Sequence, residues 1–203
     1  MKHKMYNILK VVVFSLYVVS LRAQSAYSIK DFADKRYQLS KRGMTVLTTW
    51  ASINIVSGAG YFVSNSPEEK YFYAMNAGWG LINLGIALPS LLAKNKEYKS
   101  KISLLNDHTK TEKVFLANAM LDLTYITAGF LLKEVSKNQS GINDRNLCSG
   151  FGNSFIVQGS ALLVFDAAMT YLNVKLRKKH LDPILNDVSI TINSSGFGIK
   201  YSF

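Results

Sequence analysis

Four stretches of the chain, residues 43–69, 71–93, 114–132 and 146–174, contain no lysine or arginine and are apolar through most of their length. Their apolar cores run about 19 to 24 residues, and at 1.5 Å rise per residue that is enough helix to cross a hydrocarbon layer of about 30 Å. A helix packed in water shows a charged face every 3.6 residues, and these four show none. The pattern therefore predicts an all-α fold: a four-helix transmembrane bundle in a membrane domain 43–176, with spans at about 44–64, 71–93, 114–132 and 151–174.

The two ends read differently. Lys2, His3, Lys4 and Lys10 precede an apolar run, 11–21, and small residues Ala23, Ser25 and Ala26 follow it. That run would reach only roughly 16 Å as helix, too short to span, so residues 1–24 are expected to be a signal peptide, cleaved near Ala23–Ala26 or retained as an anchor. Residues 25–42 place Ile29, Phe32, Arg36 and Leu39 near one helical stripe, which suits an amphipathic segment on the membrane interface or a solvated lead-in helix. In the tail, 177–203, Val188, Ile190 and Ile192 alternate with polar residues. A turn sequence, Asn193-Ser194-Ser195-Gly196, follows, and Ile199, Tyr201 and Phe203 alternate again. This predicts a short C-terminal β-hairpin, 188–192 with 197–203, packed on the bundle or adding an edge to a partner strand.

Residues 64–70 (SNSPEEK) form a short, turn-rich connection, so the first two spans should be antiparallel neighbours. Tyr61 and Phe62 before it, with Tyr71, Phe72 and Tyr73 after it, gather aromatics at one level, as a membrane–water interface selects. Cations divide unevenly. With residues 1–24 set aside, five precede the first span, six lie in the second connection and five follow the fourth span from Lys175 on, whereas the other two connections hold only Lys70, Lys133, Lys137 and Arg145. The positive-inside rule then places the mature amino terminus in the cytoplasm, while a cleaved signal places it outside. Three resolutions stay open: a retained signal, a first run that does not cross fully, or a setting where the charge rule does not apply. The expected location is a bacterial cell envelope, with the inner membrane favoured. The expected partners are the bilayer, with anionic headgroups at the basic flanks, and a protein partner or second copy through the helix faces or the hairpin. The basic segments lack interleaved aromatic platforms, which speaks against nucleic acid.

The chain's 203 residues, net charge of +11 and charged fraction of 18% fit one compact bundle and exclude disorder. A lone cysteine, Cys148, excludes a disulfide framework or a four-cysteine metal site. Three histidines, none in an apolar run, speak against a buried haem or a histidine-rich metal centre. There is no phosphate loop or dinucleotide fingerprint, and no Ser-His-Asp set fits within spans that hold no histidine. No cofactor, metal or catalytic residue is expected. A membrane enzyme acting on lipid is the third reading, behind a structural or partner-binding bundle and a ligand-binding or transporting one.

Polar residues recur at helical spacing inside every span. Asn54 follows Trp50 by four; Asn76 and Asn83 lie two turns apart with Trp79 between; Asn118, Asp122 and Tyr125 form one stripe; Gln158 and Asp166 align, with apolar Leu162 midway. Intramembrane carboxylates are costly and either pair with partners inside a bundle or mark an ion or proton path. Asp122, Asp166, Asn118, Gln158, Asn76, Asn83, Asn54 and Tyr125 are thus candidates for a ligand or proton site. The competing reading is interhelical glue, at about 0.6 and up to roughly 2 kcal/mol per hydrogen bond. The motifs Gly43-Met44-x-Val46-Leu47-x-x-Trp50-Ala51-x-x-Asn54, Tyr71-Phe72-x-x-Met75-Asn76-Ala77-Gly78-Trp79, Asn118-x-x-Leu121-Asp122-x-x-Tyr125 and Gln158-Gly159-x-x-Leu162 resemble an uncharacterised bacterial family of four-helix integral membrane proteins, a domain of unknown function. The resemblance covers about residues 40–175. It implies four helices with polar residues in each, and no known activity.

Overall fold

The computed structural model describes the backbone of residues 2–182, 189–193 and 196–200 and the side chains of residues 29–182. Helix α1 (Lys2–Ser57) continues through a short turn into α2 (Gly60–Val63); α3 (Pro67–Leu92), α4 (Lys101–Lys137) and α5 (Ile142–Leu176) follow, and a π-helical turn, Arg177–Leu181, prolongs α5. Four helical segments, Ile29–Val63, Pro67–Leu92, Lys101–Lys137 and Ile142–Leu181, are long and apolar enough to cross a membrane. The side chains of the expected signal peptide, 1–24, lie outside the described residues.

One part of the expected fold class is corrected. The bundle is all-helical, and the C-terminal β-hairpin predicted for 188–192 with 197–203 forms no part of it. The backbone of Ser189–Asn193 does run antiparallel to Gly196–Lys200, with Ile190 opposite Ile199, but neither segment packs extensively on any helix. Two five-residue segments cannot bury a layer, so the alternating pattern has no core to face. Val188 and residues 201–203 lie outside the described residues.

Local chemistry sets the helix ends. Ser66 caps α3, its hydroxyl accepting from the Glu69 N–H at 3.4 Å, with Pro67 at the first helical position. Ser100 caps α4 by accepting from the Ser103 N–H at 3.2 Å. The helices meet in the order α1–α3–α5–α4, and the backbone of α4 stands apart from the α1–α3 pair, bridged by side chains such as Trp79 against Tyr125. α1 reaches α4 only near one end, where Phe32 meets the His108 ring edge-on and Arg36 meets Thr111. The close pairs depend on small residues. A Cβ on Gly80 would sit 2.7 Å from Ala51 O of α1, and one on Gly129 would sit 2.7 Å from Gly152 O of α5.

Burial is inverted relative to a water-soluble bundle. Asn54, Asn76, Asn83, Asp122, Gln158 and Asp166 are buried, while Val46, Ile53, Phe62, Ile82, Leu116, Phe130 and Val164 are exposed. α1, α4 and α5 also outrun the predicted spans at the same end of the bundle. There Phe32, Ala33, Leu104 and Leu181 form a second small core with Ile29, Tyr98, Leu105 and Leu176 around it. The stripe Ile29–Phe32–Arg36–Leu39 is turned against protein at this end. The cation-rich segments gather here; Lys70, Lys133, Lys137 and Arg145 lie at the opposite end.

Candidate functional site

The eight polar candidates separate into two sets, and Leu162 marks the boundary. On one side, Gln158 of α5 is a three-way junction. Its carbonyl accepts from Trp50 Nε1 at 3.0 Å, and its amide donates to Asn54 Oδ1 at 2.5 Å and Asn76 Oδ1 at 3.0 Å. Ser154, one turn earlier on α5, donates to the same Asn76 oxygen at 2.6 Å. This network ties α1, α3 and α5 together, and in it Asn54, Asn76 and Gln158 serve as glue. A latch lies beyond it: Ser149 and Asn153 donate to Glu68 Oε1 at 2.7 and 2.9 Å, and Lys133 donates to Asn153 Oδ1 at 2.6 Å.

On the other side of Leu162 lies a cavity of about 550 Å³, lined by Asn83, Asn118, Asp122, Tyr125 and Asp166. Gly159 lets α5 approach α4 closely here, since a Cβ at that position would be 2.9 Å from Asp122 O. Asp122 and Asp166 interact side chain to side chain across α4 and α5, with Asn118 beside Asp166. Two carboxyls held together in a buried space repel when both are ionised, which favours a shared proton. Three buried atoms on this cavity have no hydrogen-bond partner among the described residues: Trp79 Nε1, Asn83 Nδ2 and Asp122 Oδ2. Their residues are 8%, 4% and 3% exposed. Trp79 packs edge-on with Tyr125 at 4.9 Å between ring centres, and Phe115 with Phe165 at 6.1 Å, so aromatic walls flank the carboxyls.

Toward the cation-rich end the cavity runs up to Arg36, Asp107, Lys110 and Thr111. Arg36 donates to Tyr98 Oη and to Thr111 Oγ1 at 3.0 Å, and Tyr98 donates to Asp107 Oδ2 at 2.8 Å. Burial, and then the bond to Asp107, pushes the Tyr98 phenol above its ordinary pKa, while the same carboxylate holds the Lys96 ammonium up by hydrogen bonding. Behind this cluster His108 is fully buried, its Nε2–H donating to Asn173 O at 3.0 Å, with Glu112 alongside at 3.3 Å and Arg177 on that carboxylate at 2.9 Å.

The candidate set drawn from the sequence lacked Trp79, Ser154, Arg36 and His108. Ser154 had a signal, being one turn from Gln158 on the same face. Trp79 had one too, midway between Asn76 and Asn83. His108 had none, because its burial comes from Phe32, distant in sequence.

Fold and site together define a class: a four-helix bundle of membrane-length helices enclosing a cavity with a carboxyl pair. The chain belongs to the family described as "Family of unknown function (DUF6992)", matched over residues 46–167, a range that holds all eight candidates. No curated protein and no solved structure matches the chain.

Proposed function

We propose that this chain is a non-enzymatic integral membrane protein that binds a small cationic ligand at the Asp122–Asp166 pair, in the inner membrane of a bacterial cell envelope. The observation that carries the reading is the convergence of three unpartnered buried polar atoms on one cavity beside that pair. Glue satisfies its own hydrogen bonds, as the Gln158 junction does; a site leaves some for its ligand. The carboxyl pair faces no cation inside the spans, and aromatic side chains line the space, which together favour an ammonium or other monovalent cation. Apolar side chains outside and amides inside support lipid as the solvent, and the cation-rich end is assigned to the cytoplasm.

Two measurements test this. The membrane assignment predicts retention in the membrane fraction through alkaline carbonate washing, with detergent needed for a monodisperse preparation. Release into plain buffer would overturn it. For the site, tetramethylammonium, sodium and potassium are titrated against thermal unfolding of the detergent-solubilised chain. A bound cation at a hundredfold excess over its Kd stabilises by about 2.7 kcal/mol. That stabilisation is expected in the wild type and absent in Asp122→Asn and Asp166→Asn. Destabilised variants with no cation response in the wild type would return both aspartates to the glue reading.

A further inference from the structure

The cavity has two approaches, and they differ in chemistry. The aqueous one, at the cation-rich end, passes Arg36 and Lys110. From Lys110 to Asp122 is about 18 Å along the α4 axis. A hydrated cation coming this way meets fixed positive charge first, relieved only at Asp107, which Lys96 and Tyr98 already occupy. The lateral approach lies between α3 and α4 on the cation-rich side of the Trp79–Tyr125 contact, where the two backbones stand apart. Its lips are Ile82 and Ile86 of α3 and Val114 and Leu121 of α4, which line the cavity and are 50–57% exposed. All four sit within the predicted spans, at the depth of acyl chains.

Resting on the cation-site reading above, we propose that the ligand comes from the bilayer: a membrane-partitioned amine with one apolar body, one ammonium and a neighbouring hydroxyl or carbonyl. The ammonium answers the carboxyl pair, including the unpartnered Asp122 Oδ2. The neighbouring oxygen accepts from Trp79 Nε1–H and Asn83 Nδ2–H, the two donors left free beside it. The apolar body lies against Met44, Leu47, Phe115, Leu162 and Phe165 and reaches the lips. A cavity of about 550 Å³ is within the range that takes an amphiphile of drug size. An anionic amphiphile would place its charge against the aspartates with no cation in reach.

The test uses the full chain in nanodiscs of uncharged phosphatidylcholine, with N-dodecylethanolamine, dodecanol and dodecanoate as chain-matched probes and protein-free nanodiscs as the blank. Trp79 is one of only two tryptophans, so binding is read as a saturable change in indole fluorescence that Trp79→Phe abolishes. N-dodecylethanolamine is expected to bind at least about tenfold more tightly than either other probe, and Asp166→Asn to lose that advantage, the scale of one hydrogen bond to a charged group. Ile86→Phe and Val114→Phe, at the lips, are expected to slow its uptake at least about threefold without adding an indole to the readout. Equal binding of the three probes, or uptake indifferent to the lip variants, overturns the proposal. Stabilisation by tetramethylammonium without binding of the amphiphile overturns the lateral ligand but leaves the cation site standing; failure of both removes the two together. Circular dichroism and size exclusion on each variant separate lost binding from lost folding.

Discussion

Gly80→Ala and Gly129→Ala are expected to destabilise the bundle by about 1–3 kcal/mol, while Gly78→Ala and Gly85→Ala leave it unchanged or stabilise it by up to about 1 kcal/mol. All four substitutions add one methyl group to a helix interior, and each gains the same helix propensity. They differ in what the methyl meets. At Gly80 it would lie 2.7 Å from Ala51 O and 2.9 Å from Ile55 N; at Gly129, 2.7 Å from Gly152 O and 2.9 Å from Ile156 N. Those are backbone atoms, which cannot turn aside as a side chain can, so the helices must separate. At Gly78 and Gly85 nothing lies within 4 Å. Without a hydrophobic force between helices in lipid, close van der Waals contact is the main source of association, and its loss is not made good elsewhere. Unfolding titrations in mixed micelles measure all four, and one sign for the whole set would overturn the packing shown here.

Gln158→Leu is the second large effect, expected to cost about 2–5 kcal/mol, three interhelical hydrogen bonds at roughly 0.6–1.7 kcal/mol each. Leucine nearly matches the volume, so the loss is polar. Trp50 Nε1, Asn54 Oδ1 and Asn76 Oδ1 each lose a partner, and Asn76 keeps only Ser154. Trp79→Phe makes the contrast, because the N–H it removes has no partner and its loss is expected to leave stability nearly unchanged. The two variants separate the roles of the polar interior. One breaks assembly and the other removes a ligand contact. Denaturation of both by the same method checks this, and equal losses would erase the boundary at Leu162.

Much of the site could be read along the chain. Asn118, Asp122 and Tyr125 were spaced to share a face, and all three line the cavity. Trp50 and Asn54 were one turn apart, and both bond Gln158. Leu162, an apolar break in the α5 stripe, proved to be the wall between network and cavity. The alternating tail pattern pairs backbone with backbone but adds no layer to the bundle, because two five-residue segments bury too little and neither packs extensively on a helix. The stripe at Ile29, Phe32, Arg36 and Leu39 packs on protein, a contact that helical spacing alone does not reveal.

By itself the sequence determined the four apolar helices and which residues turn inward, though not how far the helices run past the spans, because periodicity and hydropathy are local properties of a chain. It did not determine which inward residues meet. Asn76 and Asn83 lie two turns apart on one helix face, yet one is bound by Gln158 and Ser154 and the other points a free amide into a cavity. That difference arises from the neighbouring helices alone: where glycines bring backbones together the polar groups close on each other, and where α4 stands away from α1 and α3 they are left open.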